Sequence, residues 1–349
     1  MKIGDKFIDE LIAHGLAAPS GDNCQPWIFR RRERGVDLII DSCRGAHFLA
    51  MRERPSLISH GAVIENISIA AHARGLDLDV QYPDRMAQDG VTATLDLRER
   101  GGPPDPLFPF IVRRATNRKP YSRRRLAPEA RLALVEAARA PGAEFYIRED
   151  RIDEIAEIVS LNEKFLIELR GYHDDLFRWI RWTRGQAEKS RDGLYIKTLE
   201  LGIGAAGLAL LRPWLAARGF GALHLTRLLC AVSRSICRDS AAVGFLQMKG
   251  RTERDYLEGG RLLQRIWLTA TAQGLSFQPM AGILFLVERL NGDPLVFSVP
   301  QQKILRQAET ALKDLLGWDS GKAPILLFRV GYAEPPSAFS LRRPAGWVL

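Results

Sequence analysis

The sequence predicts an α+β protein built from two related half-units fused in one chain. Three observations predict it. First, residues 61–76 (GAVIENISIAAHARGL) and 260–275 (GRLLQRIWLTATAQGL) repeat one another without a gap at an offset of 199. Gly61, Ile67, Ile69, Ala71, Ala73, Gly75 and Leu76 match Gly260, Ile266, Leu268, Ala270, Ala272, Gly274 and Leu275. Both stretches have helical periodicity and end on Gly-Leu, as a helix closed by a left-handed glycine does. Second, each is followed by an extended, strand-like run, 91–97 (VTATLDL) and 325–330 (ILLFRV). Third, the Gly/Pro-rich stretch 101–109 (GGPPDPLFP) supplies a boundary. The half-units are therefore expected over 1–110 and 111–349. The alternative is that two unrelated amphipathic helices with glycine ends look alike; that the matches run without a gap favours duplication.

Taken in order, 11–19 (LIAHGLAAP) echoes 134–141 (LVEAARAP), an apolar helix end running to proline in each half. Turn residues Pro19 to Asn23 then lead into strand-like 27–30. In the second half a helix is expected to begin near Pro128. An insertion follows, about 151–219. It opens with an amphipathic helix carrying Ile152, Ile155, Ile158 and Val159 and continues with Tyr172, Phe177, Trp179 and Trp182. It reads either as a lid or substrate wall or as a packed peripheral helical pair. Residues 241–248 (AAVGFLQM) read as a strand. The strand-like run of each half leads through Gly and Pro to a double arginine, Arg113-Arg114 and Arg342-Arg343.

Composition narrows the function. Net charge is +9, which suits solubility alone, nucleic acid, anionic lipid or phosphorylated small molecules. The arginines are spread from Arg30 to Arg343, and no basic block is interleaved with aromatics, so nucleic-acid binding is a lesser reading. Cys24, Cys43, Cys230 and Cys237 form no CxxC pair and no zinc spacing with histidine. His14, His47, His60, His72, His173 and His224 are scattered, are read as structural, and leave no evident acid–base pair. The longest apolar run, 201–211, falls short of the roughly 18 residues a membrane span needs. The N-terminal MKIGDKFIDELIAHGL lacks a signal-peptide core. A soluble, cytoplasmic protein without membrane or nucleic-acid partners is expected.

Two segments carry chemistry. In 18–29 (APSGDNCQPWIF), a Ser-Gly-Asx turn exposes backbone N–H groups while Ser20 and Asn23 add side-chain partners. It reads as an ordinary helix-to-strand loop or as the edge of a site for a flat polar heterocycle. In 113–121 (RRATNRKPY), arginines with neighbouring hydroxyl and amide groups suit phosphate oxygens, or form a solvated basic linker.

APSGDNCQPW resembles the Pro-Ser-x-x-Asn-x-Gln-Pro-Trp segment of the nitroreductase superfamily. RRATNRKPY resembles that family's Arg-Arg-Ser-x-Arg-x-Phe opening as its single-chain, Acg-like branch carries it. Residues 260–281 and the terminal SLRRPAGWVL resemble its stretch beside the flavin ring and its last phosphate-binding arginine. Two departures stand out: the arginine cluster follows the loop instead of preceding it, and Ala115 replaces the usual serine.

The resemblance implies a nitroreductase-like fold holding FMN, with the two halves standing in for the two subunits of a homodimer. It implies one FMN per chain and a monomeric pseudo-dimer. For the phosphate it implies Arg113, Arg114, Arg118 and Arg342 or Arg343, with Thr116 or Asn117 in place of the missing serine. Arg114 is the weakest member of that set, because neighbours on an extended strand point opposite ways. For the ring and ribityl chain it implies Pro19, Ser20, Gly21, Asn23 and Gln25, with Gly274, Leu275 and Gln278 at the opposite edge. Met280, Trp27 and Cys24 read as core. The implied activity is two-electron transfer from NADH or NADPH through flavin N5 to a small organic acceptor. A non-catalytic FMN-sequestering or sensing protein, with the insertion covering the flavin, is the alternative.

Overall fold

The structure is a computed structural model that describes residues 5–84, 89–99, 102–223 and 225–344. His224, Gly101 and the terminal 345–349 of SLRRPAGWVL lie outside the described residues.

Helix α1 (Asp5–Leu16) precedes strands β1 (Trp27–Arg32) and β2 (Gly35–Ile40), the short α2 (Ser42–Gly45), the long α3 (Arg54–His72), β3 (Leu76–Gln81) and β4 (Val91–Glu99). These strands form an antiparallel sheet in the order β1-β2-β4-β3, with Trp27 opposite Ile40 and Leu76 opposite Glu99. The chain continues through α4 (Pro128–Ala137) and β5 (Ala143–Arg148) into a helical insertion. That insertion comprises α5 (Ile152–Glu168), α6 (Arg170–Trp179), β6 (Ile180–Arg181), α7 (Arg184–Ser190), β7 (Leu194–Tyr195), α8 (Gly204–Leu210), α9 (Trp214–Ala222) and α10 (Thr226–Arg238). It extends past residue 219, because α10 packs back along α5. Then come β8 (Ala242–Met248), α11 (Glu253–Ala272), β9 (Ser276–Pro279), α12 (Gly282–Gly292), α13 (Val299–Leu316) and β10 (Ala323–Gly331).

The second sheet is also antiparallel, in the order β5-β8-β10-β9. Both sheets thus run first, second, fourth, third strand, and in both the long helix joins the second strand to the third. Helices α3 and α11 begin 199 residues apart. Each is followed by a glycine in the left-handed region, Gly75 at φ 74° and Gly274 at φ 69°, the geometry a helix-terminating glycine adopts.

The matched Gly61 and Gly260 have a direct physical reason. A Cβ on Gly61 would sit 1.9 Å from the Leu257 carbonyl oxygen, and one on Gly260 would sit 2.0 Å from that of Ile58. The two helices cross backbone to backbone here, and only glycine fits. Apolar residues of both sheets (Leu38, Leu95, Leu246, Phe328) and both helices (Ile64, Ile266) fill one continuous core around that crossing. A second core lies among α5, α12, α13 and the second sheet, with Ile155, Val287, Leu312 and Leu327.

Candidate functional site

The loop after α1, the segment before α4, the insertion and the C-terminal tail converge over α3, α11 and the start of α12. They enclose a cavity of about 490 Å³, within the range of roughly 300–1,000 Å³ typical of small-molecule sites. Its apolar wall includes Ile58 and Ala62 of α3, Leu263 and Trp267 of α11, and Phe285 of α12. Tyr172, Asp175, Leu176, Leu194 and Thr198 bring the insertion into it, and Ala338 to Ser340 bring the tail. The insertion therefore forms one wall of the cavity.

The loop after α1 is held in a costly backbone shape. Asp22, Asn23 and Gln25 have φ of 48°, 55° and 53°. Asp and Asn tolerate this region and Gln does so less readily, at a cost on the order of 1–3 kcal/mol for each strained residue. Long-range hydrogen bonds offset the strain. Asn23 Nδ2 donates to the carbonyls of Gly193 and Leu341, both at 3.0 Å. Gln25 Nε2 donates to Arg191 O at 2.9 Å, and Gln25 Oε1 accepts from the Arg343 N–H at 3.0 Å. The Gln25 N–H donates to Ser20 Oγ at 2.9 Å. Insertion and tail thus clamp the loop, leaving Ser20, Gly21 and Asp22 on the cavity surface.

Three arginines give the cavity its electrostatic character. Arg114 is buried, its guanidinium 4.5 Å above the Trp267 ring, with Nη2 donating to Ala17 O at 3.0 Å. Arg342 Nη1 donates to Asn23 Oδ1 at 2.7 Å. Arg118 Nη1 donates to Thr198 O at 3.0 Å. Among the described residues, none of the three has a carboxylate within ion-pair distance. Arg114 Nε and Arg342 Nε are buried and have no hydrogen-bond partner among the described residues. Desolvation, with repulsion from Arg342, lowers Arg114 to about 9, and desolvation lowers Arg342 to about 10. Burial also lowers Arg118, partly countered by Asp22. Arg118 and Arg342 keep some accessible surface, but it faces the cavity. Buried cations without counter-charges are unfavourable until an anion joins them.

A second ionisable group lies on the same wall. His47 Nδ1 is 3.4 Å from Asp175 Oδ2 and 3.7 Å from Asp22 Oδ2, and its ring stacks on Trp179 at 5.4 Å. Burial disfavours the charged imidazole, but Asp175, the Cys24 sulfur and Asp22 outweigh it and push His47 up to about 10. Asp22 itself is raised by burial against the opposing pull of His47. Asp175 also accepts from the Phe48 N–H at 2.6 Å and from Arg178 Nη2 at 2.9 Å.

Of the residues expected from sequence, Pro19, Ser20, Gly21, Asn23, Arg114, Thr116, Arg118 and Arg342 line this one cavity. Seven do not. Gln25 and Asn117 are fully engaged as braces. Asn117 Nδ2 donates to Ser276 Oγ and Glu334 O, and its N–H donates to Phe277 O. Arg113 is the outward member of its pair, whereas Arg343 is buried, its N–H held by Gln25 Oε1, and does not reach the cavity wall. Arg113 is exposed over Phe110, because the Arg114 N–H closes a turn on Phe110 O and turns Arg114 inward. The preference for Arg113 over Arg114 is thereby reversed. Gly274 stands in open space at the end of α11, Leu275 is core, and Gln278 Oε1 accepts from Arg329 across the sheet at 2.7 Å. Pro279, Ala281 and Gly282, just downstream, reach the cavity in their place.

His60, buried between Thr92 Oγ1 and Pro26 O, is structural, as is His173, bonded to Leu211 O. His47 is not placed so simply. No spacing rule links it to Asp175, 128 positions away; only Asp22, inside the quoted SGDN turn, could have been singled out.

No family model matches the chain. It is 26% identical over 348 residues to "Uncharacterized protein MT1398" of Mycobacterium tuberculosis (strain CDC 1551 / Oshkosh), covering 96% of this chain and 47% of that protein. The chain thus spans about half the length of this curated relative. Among solved structures it is similar to oxidized iodotyrosine deiodinase bound to FMN and 3-iodo-L-tyrosine, at TM-score 0.36, 13% identity, 68% of this chain and 95% of that one. It is also similar to the FMN-dependent nitroreductase NfnB from Mycobacterium smegmatis in complex with NADPH, at TM-score 0.36, 15% identity, 67% of this chain and 91% of that one.

Proposed function

We propose that the chain is an FMN-dependent oxidoreductase of nitroreductase-like fold, in the Acg-like single-chain branch, holding one FMN in this cavity. The observation that carries the reading is the meeting of Arg114, Arg118 and Arg342, three cations with no carboxylate at ion-pair distance among the described residues, at the edge of an otherwise largely apolar pocket. The orphaned Nε atoms of Arg114 and Arg342 fit phosphate oxygens, for which the guanidinium fork is suited. Ser20, Thr116 and the strained loop supply hydroxyl and backbone partners for a polar ring edge and ribityl chain. Phe285, Ile58 and Leu263 supply the apolar contact and exclude water.

The two halves, 1–110 and 111–349, are read as fused copies of one unit. What supports this is the shared strand order, the equivalent long helices and the glycines at their crossing. One FMN per chain follows, because the counterpart of the 19–25 loop in the second half is Ala140-Pro141-Gly142-Ala143. The groove there is lined by a single arginine, Arg139, paired with Glu136 at 2.9 Å.

When bound, FMN supplies two-electron chemistry between NADH or NADPH and a small organic acceptor. The protein's part is binding, orientation and charge. The arginines fix the phosphate, and the cationic surroundings favour negative charge on a bound ring. His47 keeps a proton on the cavity wall, steadied by Asp175.

The test is the chromophore released from purified protein, identified by mass, together with steady-state NAD(P)H oxidation using quinone and nitroaromatic acceptors. FMN and turnover are expected; colourless protein that takes up no FMN would refute the reading. The wall formed by Tyr172 and Leu194 favours one second reading, an FMN-sequestering protein. A flavin bleached by dithionite but not by nicotinamides would select it.

A further inference from the structure

The outer surface of the insertion carries apolar side chains that its own core does not use. Leu211 and Ala217 turn inward and pack with Ile167, Phe177 and Ile180. Outward, Ile203 is 99% exposed, Leu215 79%, Leu210 74%, Leu223 70%, Leu228 61% and Val232 57%. These residues follow helical spacing. Ile203 and Leu210 stand seven apart, with exposed Ala206 and Gly207 between them on the same face of α8. Leu225, Leu228 and Val232 share one face of α10, opposite the face that packs on α5. Isolated exposed leucines are ordinary, but a cluster of them on adjoining helices marks an interaction surface.

Charge identifies the partner. Residues 201–238 contain five arginines (Arg212, Arg218, Arg227, Arg234, Arg238) and no Asp or Glu, although acidic residues make up 41 of the 349. This stretch holds more than half of the chain's net +9. Arg234 and Arg238 are tied to Glu157 and Asp153 of α5. Arg212, Arg218 and Arg227 are exposed, and none has a carboxylate partner among the described residues. A polyanion without apolar groups would leave the leucines in water. An acidic protein partner would be met by the arginines but is not required by the leucines. A lipid surface with anionic headgroups matches both, as it does for amphipathic helices lying in the interface.

We propose that helices α8, α9 and α10 form a peripheral docking surface for an anionic lipid bilayer. No single helix among the described residues is long and apolar enough to cross a membrane. Helices α9 and α10 reach that length and composition only as a pair bent by 91°; the arginines spread along them suit an interfacial contact, with Leu210, Leu215, Leu228 and Val232 entering the headgroup region and Arg212, Arg218 and Arg227 pairing with lipid phosphates or carboxylates. The 201–211 run, too short to span, is long enough to lie flat. This inference is independent of the cavity's ligand.

The test is co-sedimentation of the full chain with vesicles of phosphatidylcholine alone or of phosphatidylcholine with phosphatidylglycerol, at low and high salt. Binding is expected to the anionic vesicles and to fall with salt. The triple variant Arg212→Gln/Arg218→Gln/Arg227→Gln should lose about 100-fold in partitioning. Leu215→Ser/Leu228→Ser/Val232→Ser should also lose binding, and both variants should keep the wild-type melting temperature. Failure to bind either vesicle would overturn the proposal, as would equal binding to both. Concentration-dependent self-association, abolished by the leucine variant while vesicles stay empty, would overturn it in favour of contact between copies of the chain. FMN content is measured alongside and tests only the cavity.

Discussion

At the scale of single residues, the cavity's chemistry turns on Arg114. Its guanidinium sits over Trp267, with one hydrogen bond and no counter-charge among the described residues. Removing it relieves an unfavourable burial in the empty protein while removing one proposed phosphate ligand. Arg114→Met is therefore expected to raise the melting temperature of FMN-free protein and weaken FMN binding by about 10- to 100-fold, the worth of one hydrogen bond to a charged group. Calorimetry and flavin titration of the one variant read both effects; unchanged FMN affinity would show that Arg114 is not a ligand. His47 makes a second residue-scale prediction. Its folded value of about 10 lies above the ordinary 6.5. Its contribution to stability is thus fully present below about pH 6.5 and lost as pH rises through about 10. Stability of the wild type should fall over that alkaline window, and His47→Gln should flatten the fall. An imidazole that titrates near 6.5 by NMR would contradict the assignment.

At the scale of elements, the α3–α11 crossing is the joint on which the cavity rests, since both helices wall it. Gly260→Val would drive a side chain into the Ile58 carbonyl, which belongs to helical backbone and cannot swing aside. A loss of about 3 kcal/mol or more is expected in urea unfolding, with FMN affinity falling in the same variant. A loss within about 0.5 kcal/mol would mean that the helices can separate there at little cost. These elements were largely legible in sequence. The Gly-Leu ends, the strands at 91–97 and 325–330 and the strand at 241–248 rest on local periodicity and glycine chemistry, which sequence shows directly. The extent of the insertion was not legible, because α10 joins it through packing on α5 across some 70 residues. The pairing of His47 with Asp175 and the inward turn of Arg114 were likewise invisible. One is a tertiary meeting of distant segments, and the other follows from a single turn closed on Phe110 O.

At the scale of the whole molecule, segments far apart in the chain meet at one place. The loop at 19–23, the arginines at 114 and 118, the insertion at 172–198 and the tail at 338–342 face one cavity. Motif chemistry pointed to the first, second and fourth of these; the inward turn of Arg114, the choice of Arg342 over Arg343 and the absence of Gly274, Leu275 and Gln278 from the wall required coordinates. On the proposed reading, this cavity recognises the terminal phosphate of a flavin. Titration of the full chain with FMN and, separately, with riboflavin tests it most directly, because the two ligands differ only in that phosphate. One FMN per chain, bound at least about 100-fold tighter than riboflavin, is the expected result for two or more arginines meeting one dianion. Equal affinity for the two, or two FMN per chain, would contradict it.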